Sequence, residues 1–157
     1  MIASTHLAVG AASALFVQRY VSTKDEYDVV KKYLFGFGAA IFSHMVLDSI
    51  YHLEYSLQGQ ALTSCLVVEF ILVSMVLLFG QKNPVIQKMI VLGIIGGALP
   101  DGLYFVSLFT GWNWLLMVHD LLHVTHGMLS WLYANYFVQV LVTLLAVFYV
   151  RIKFRTA

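Results

Sequence analysis

Long apolar runs alternate with short polar segments along the whole chain. A transmembrane helix needs about 17 to 25 predominantly apolar residues to cross about 30 Å of hydrocarbon. Runs of that length occur near residues 3–19, 33–53, 61–79, 86–108 and 127–150. The pattern predicts an all-α fold, a polytopic membrane helix bundle of about five transmembrane helices that forms a single integral membrane domain over residues 1–157.

Two features of the fourth run predict how it packs. Gly93 and Gly97 are four residues apart, a spacing that lets membrane helices approach closely. Pro100 lacks a backbone N–H and is expected to disrupt the helix behind it. Irregular backbone at membrane depth is tolerated where it lines a cavity, so the neighbouring Asp101 is expected to face a polar cavity.

The positive charges are segregated to one side of this topology. All nine Lys and Arg residues lie on the side where the first, third and fifth apolar runs end. The positive-inside rule makes that side cytoplasmic, so the N-terminus is predicted outside and the C-terminus in the cytoplasm. Because no Lys or Arg precedes the first run, we expect it to be a retained helix rather than a cleaved signal peptide.

Composition narrows the class of protein further. Apolar residues make up 61% of the chain and charged residues only 11%, compared with roughly 25% charged in an ordinary soluble domain. The formal net charge is +1 and there is no basic stripe, so no nucleic-acid partner is expected. The single cysteine, Cys65, excludes an intrachain disulfide and a cysteine-rich zinc module.

All six histidines fall in the outer half of this topology, although none was used to orient it. In the second run a spacing of four places three polar side chains on one helix face: His44, Asp48 and His52. Near the fifth run three histidines follow at i, i+4 and i+7, and share a face if the segment is helical: His119, His123 and His126. Two polar stripes are therefore expected at one depth.

Ionisable side chains in a membrane need a partner, because each costs about 2.5 to 3.5 kcal/mol at the centre of a helix. Neutral imidazole and carboxylate are ligands of catalytic zinc and other divalent metals, and a dication neutralises carboxylates that are otherwise buried unpaired. His52 and His119 are expected to be structural or to support the ligands. We predict that a divalent metal, with zinc favoured, is bound by His6, His44, Asp48, Asp101, His123 and His126.

These residues resemble a known family, the small membrane-bound metal-dependent hydrolases that are related to zinc-dependent phospholipase C. The likeness lies in short motifs: Thr5-His6-Leu7, Leu99-Pro100-Asp101, His123-Val124-Thr125-His126-Gly127, and His44 with Asp48. The resemblance implies an all-helical fold that holds one or more divalent metals and hydrolyses a phosphoester or similar bond. It implies His123 as a ligand or as support for the ligands, which are His6, His44, Asp48, Asp101 and His126. Unlike the family pattern, His44 and Asp48 precede the Leu-Pro-Asp turn.

We therefore expect a membrane-embedded metal-dependent hydrolase whose site opens to the non-cytoplasmic leaflet. At that depth a phospholipid or another lipid-linked phosphate is the expected substrate, and membrane lipids are the expected partners. Glu69 and Asp120 are acids outside the predicted ligand set and are expected to accept or deliver a proton. The resemblance implies a bacterial or archaeal cytoplasmic membrane.

Three other functions also explain ionisable residues inside a membrane. A transporter or proton-relay protein predicts solute or proton flux without bound metal. A haem-binding protein, in which histidines are axial ligands, predicts a Soret band. A non-enzymatic accessory subunit uses the cluster only as a polar network between helices, and is isolated as an oligomer or within a larger membrane complex.

Overall fold

The computed structural model of the protein describes residues 2–20, 26–52, 56–57, 59–123 and 128–155. Helices dominate these ranges, which confirms the all-α class. The helices are α1 (Ala3–Gln18), α2 (Glu26–Ser49), α3 (Gly59–Leu78), α4 (Pro84–Thr110), α5 (Asn113–Leu122) and α6 (Tyr136–Arg155). Two short strands accompany them, β1 (Ile50–His52) and β2 (Leu129–Ala134).

Three of the described helices are long and apolar enough to cross a membrane: α3, α4 and residues Tyr136–Lys153 of α6. Most of their apolar surface faces outward, since only 6% of the α3 segment and 17% of the α6 segment is buried. Soluble monomers rarely expose such continuous apolar surface. These helices therefore support an integral membrane location.

The central helix is α1, which contacts α2, α3, α4 and α6. Small and aliphatic residues of α1 form one core with residues of α3, α4 and α6. The α1 residues are Leu7, Ala8, Ala11, Ala14 and Leu15, and their partners include Leu77, Met89, Ile90, Ile94 and Val150. A Cβ added to Gly93 would lie 2.5 Å from Ala11 Cα, and one added to Gly97 would collide with the carbonyl oxygen of His6. The predicted close approach at Gly93 and Gly97 is confirmed, and α1 is the helix that approaches α4 there.

Hydrogen bonds from α3 and α6 hold the first turn of α1. The Ile2 N–H donates to Gln139 Oε1 at 2.7 Å, and the Ser4 N–H donates to Glu69 Oε2 at 2.7 Å. The first N–H groups of a helix lack intrahelical acceptors, and a carboxylate near them also interacts favourably with the helix dipole. These contacts fix the position of His6, which lies in the same turn.

Residues 129–134 are extended rather than helical, so the predicted single helix over residues 127–150 is wrong in this part. They form β2, which pairs in parallel with β1 and places His52 opposite Ala134. Aromatic and β-branched side chains favour strands, and the pairing satisfies backbone groups outside the helices. Because α2 ends at Ser49, His52 is not on that helix.

The course of α4 also differs from the prediction. The helix continues through Pro100, so the disruption predicted there does not interrupt the helix. A proline removes only one N–H, and neighbouring groups in a membrane bundle can satisfy the backbone that it frees. The ends of α4 follow ordinary capping rules: Asn83 Oδ1 accepts from the Val85 N–H at 3.0 Å, and Gly111 adopts a left-handed φ of 70°.

Candidate metal centre

His44 and Asp48 lie one turn apart near the end of α2 and face the same way. His44 Nε2 lies 3.1 Å from Asp48 Oδ2, and both side chains are buried. Their spacing of four residues aligns them on one helix face, as predicted. His52 lies instead in β1, where its Nδ1 donates to the Ile50 carbonyl at 2.6 Å. The predicted stripe is therefore confirmed for His44 and Asp48 and wrong for His52.

The contacts of His44 identify the nitrogen that carries its lone pair. Nδ1 lies 2.8 Å from the Gly97 carbonyl oxygen, and because a carbonyl can only accept, Nδ1 carries the proton. When the imidazole is neutral, the lone pair of Nε2 therefore faces Asp48 Oδ2 at 3.1 Å and Asp101 Oδ1 at 3.7 Å. This buried Nε2 makes no hydrogen bond with any described residue. A cation between these three atoms would relieve the repulsion.

His6 and Asp101 bring α1 and α4 to the same point. His6 Nε2 lies 3.3 Å from Asp48 Oδ1, and the His6 ring packs on the His44 ring with centroids 4.0 Å apart. The Asp101 side chain is 43% exposed, whereas the side chains of His6 and His44 are 2% and 0% exposed. The cluster is therefore buried at the histidines of α1 and α2 and open at Asp101.

His123 contacts the cluster from the end of α5. Its Nδ1 lies 2.6 Å from Asp48 Oδ2, and its Nε2 lies 3.3 Å from Asp101 Oδ1. Burial alone would lower the pKa of this imidazole, but the carboxylates of Asp101 and Asp48 outweigh burial and raise the pKa to about 9. Without a metal, His123 is thus an imidazolium at neutral pH and places one positive charge beside two carboxylates.

The other candidate residues lie at the edge of this cluster or apart from it. The His119 ring lies 4.3 Å from the His123 ring, so His119 belongs to the cluster. The spacing of four residues between His119 and His123 is the sequence feature that indicates this proximity. Asp120 is exposed, and its Oδ1 accepts a hydrogen bond from His119 Nδ1 at 3.0 Å. Glu69 contacts the first turn of α1. His126 lies outside the described residues.

The distances within the cluster fit a divalent metal ion. Bonds of about 2.0 to 2.2 Å place the ligand atoms of a tetrahedral zinc ion roughly 3.3 Å apart. The distances from His44 Nε2 to Asp48 Oδ2 and Asp101 Oδ1 are 3.1 and 3.7 Å, and His6 Nε2 lies 3.3 Å from Asp48 Oδ1. The 2.6 Å between His123 Nδ1 and Asp48 Oδ2 is shorter than this ligand spacing. Three overlapping sets of side chains have ligand atoms within 4.8 Å of one another: His6, His44 and Asp101; His44, Asp48 and His123; Asp101, His119 and His123. Imidazole and carboxylate suit several divalent ions, so the donor set is compatible with zinc without selecting it.

A cavity reaches the cluster between α1, α3 and α4. It has a volume of about 140 Å³ and is lined by His6 and Asp101 together with apolar side chains that include Leu66, Phe70 and Phe105. Phe105 also lines a larger cavity of about 660 Å³ between the start of α3 and the end of α4. The polar cluster is therefore adjacent to apolar cavities walled by two helices that are long and apolar enough to cross a membrane.

The chain matches no protein-family model, no curated protein and no solved structure. The resemblance to membrane-bound metal-dependent hydrolases, which rests on short motifs, stays a prediction. The function is therefore inferred from the chemistry of the His and Asp cluster and from its surroundings.

Proposed function

We propose that this protein is a membrane-embedded, metal-dependent hydrolase that cleaves a phosphoester in a lipid or lipid-linked substrate. One observation carries the proposal: His44 Nε2 is buried without a hydrogen bond to any described residue and faces the carboxylates of Asp48 and Asp101. The Gly97 carbonyl holds the opposite ring nitrogen, the arrangement that orients histidine ligands in metal sites.

The cluster contains side chains that can serve as ligands of a hydrolytic metal ion. His6, His44, Asp48 and Asp101 would hold the ion, His123 would complete or support the set, and His126 is included from its sequence motif. A divalent metal, for which zinc is the favoured ion, supplies a Lewis acid and activates water for attack on a phosphoryl group. The half-exposed Asp101 lies where a substrate can reach the buried ligands.

The proposed topology has five crossings, formed by α1, α2, α3, α4 and α6, with the N-terminus outside and the C-terminus in the cytoplasm. The distribution of charge supports it, because the cluster and the Lys and Arg residues occupy opposite ends of these helices. The site would then face the non-cytoplasmic leaflet, in a bacterial or archaeal cytoplasmic membrane.

An amphiphilic substrate is supported by the cavity that contacts His6 and Asp101. Its remaining walls are largely apolar and include Leu66 and Phe70 of α3, a helix whose other side is exposed. A phosphate at the polar end and an acyl or isoprenoid chain along the apolar walls would match both surfaces. A phospholipid or another lipid-linked phosphate is therefore the proposed substrate.

Metal analysis and a hydrolysis assay test the proposal. Wild-type protein purified in detergent is expected to bind zinc, manganese or iron stoichiometrically, and to release a phosphorylated product from phospholipid or lipid-linked phosphate in proteoliposomes. His44→Ala is expected to lose the bound metal and the activity. His52→Ala is the matched control, because His52 lies in β1 outside the three ligand sets. Wild-type protein without stoichiometric metal would overturn the proposal.

The main alternative is a non-enzymatic accessory subunit in which the cluster only joins helices. It is favoured by the fact that the cluster connects α1, α2, α4 and the end of α5. In that case Asp48→Asn would lower assembly with a larger partner, and the purified protein would contain no metal. A transporter would instead show flux in proteoliposomes, and a haem protein would show a Soret band.

A further inference from the structure

Two histidines of the cluster share one orientation. In each, Nδ1 lies within hydrogen-bond distance of an oxygen that can accept its proton: the Gly97 carbonyl for His44 at 2.8 Å, and Asp120 Oδ1 for His119 at 3.0 Å. A neutral imidazole that donates through Nδ1 has its lone pair on Nε2. Both rings are therefore arranged to offer Nε2 to a cation.

These Nε2 atoms belong to two different parts of the cluster. His44 lies in the inner part, where the side chains of His6, His44 and Asp48 are 2%, 0% and 3% exposed. The side chains of His119, His123 and Asp101 are 19%, 16% and 43% exposed and form the outer part. The ligand atoms of these outer residues lie within 4.8 Å of one another.

We propose that Asp101, His119 and His123 form a second, outer metal-binding position beside an inner position held by His6, His44 and Asp101. This inference rests on the proposed function, since it assumes the inner metal. Asp101 is the shared ligand, because its Oδ1 lies 3.7 Å from His44 Nε2 on one side and 3.3 Å from His123 Nε2 on the other. Asp101 Oδ1 therefore lies between the two positions.

Asp120 acquires a defined role in this arrangement. Its carboxylate accepts the Nδ1 proton of His119 and so directs the other nitrogen of the ring. Carboxylate–histidine–metal arrangements of this kind raise the basicity of the ligand and fix its orientation. Asp120 is thus a positioning residue of the outer position and not one of its ligands.

The outer position defines the ligand chemistry expected at the mouth of the site. A divalent cation there is more accessible to solvent than one at the inner position and should exchange faster. Two cations that share a carboxylate form a clamp suited to a phosphate group, whose oxygens can contact both. The outer cation would therefore contribute to binding of the phosphate of the substrate.

Zinc titration of the detergent-solubilised full-length protein, followed by calorimetry and metal analysis, tests the outer position. Wild type is expected to bind two equivalents with different affinities. His119→Ala is expected to retain the tighter equivalent and lose the weaker one, whereas His44→Ala loses the tighter one. Asp120→Ala should weaken only the second equivalent, by about 10- to 100-fold. His52→Ala is the control and should bind two equivalents.

The outcomes separate this inference from the proposed function. One equivalent in wild type, unchanged in His119→Ala, overturns the outer position and leaves the hydrolase proposal intact. No metal in wild type overturns both. Loss of both equivalents in His119→Ala at an unchanged melting temperature shows a single site and also overturns the outer position. If His119→Ala does not fold, the exposed Asp120→Ala decides, because equal weakening of both equivalents contradicts two positions.

Discussion

Single residues determine the charge balance of the cluster. Asp48 contacts three imidazoles, those of His6, His44 and His123, at distances between 2.6 and 3.3 Å. A proton on one of these rings offsets part of the negative charge of Asp48 and Asp101. The raised pKa of His123 shows that this ring carries the proton. In the metal-free state the His123 proton thus takes over part of the role of a metal ion.

The pKa of His123 predicts how the metal-free protein responds to pH. The folded-state pKa of about 9 lies above the ordinary value of 6.5, so protonation stabilises the fold. This contribution, at most about 3 kcal/mol, is fully present below the ordinary pKa and is lost as pH rises through the folded-state pKa. Melting of zinc-free protein should therefore move to lower temperature between about pH 7 and 10. His123→Ala should lack this decline, and an identical decline in the variant would contradict the assignment.

Bound metal should reverse the direction of this pH response. A metal ion that takes His123 as a ligand must displace its proton, so the apparent zinc affinity should rise with pH up to about the pKa of 9. Competition with a zinc chelator at a series of pH values measures the effect. An affinity independent of pH over this range would show that His123 is not a ligand.

Besides its predicted role in proton transfer, Glu69 makes a structural contact with the first turn of α1. Because Glu69 Oε2 accepts the Ser4 N–H, we expect Glu69→Ala to lower the free energy of unfolding by about 1 kcal/mol, as for other helix N-terminal acceptors. Glu69→Gln keeps an acceptor and should keep the stability. If Glu69 also transfers a proton, as predicted, this stable variant should be inactive, and full activity would contradict that role. The corresponding role of Asp120 also stays a prediction.

At the scale of elements, the contact of α1 with α4 positions two of the proposed metal ligands, His6 and His44. The backbone of α1 reaches α4 because Gly93 and Gly97 have no side chains. The Gly97 carbonyl accepts a hydrogen bond from His44 Nδ1 and so orients the His44 ring. The backbone carbonyl of His6 packs against Gly97. One helix crossing therefore fixes the positions of His6 and His44, two of the proposed ligands.

Gly97→Ala tests this dependence. Its new Cβ would collide with the backbone of His6, which cannot move aside as a flexible side chain can. We expect the free energy of unfolding to fall by about 1 to 3 kcal/mol, and zinc affinity to fall with it. Gly38→Ala is the matched control, since a Cβ there meets nothing within 4 Å, and it should be neutral or slightly stabilising. Equal effects of the two substitutions would contradict the account.

At the scale of the whole molecule, the proposed orientation puts the cluster and the cations on opposite sides of the membrane. In a Cys65→Ser background, Gln60→Cys at the start of α3 should react with an impermeant thiol reagent added from outside intact cells. Lys82→Cys, between α3 and α4, should react only after permeabilisation. Labelling in the reverse order would show that the site faces the cytoplasm.

Local sequence patterns determined much of the fold. Apolar runs located the cores of α1, α2, α3, α4 and most of α6. Three of these helices, α3, α4 and α6, are long and apolar enough to cross a membrane. The same patterns did not distinguish β2 from the start of a helix, since an apolar aromatic segment suits either. Pro100 shows the converse limit: a local helix breaker was overridden by the surrounding bundle.

For the site, the sequence by itself determined the pairing of His44 with Asp48, because a spacing of four residues is converted directly into proximity by the helix. The sequence also predicted His6, Asp101 and His123 as residues of the same site. Only the tertiary structure decided that these residues meet, that His119 joins them and that His52 does not, because such meetings depend on where helices cross and end. The tautomer of His44 was likewise decided by a long-range contact, the Gly97 carbonyl, which no local periodicity encodes.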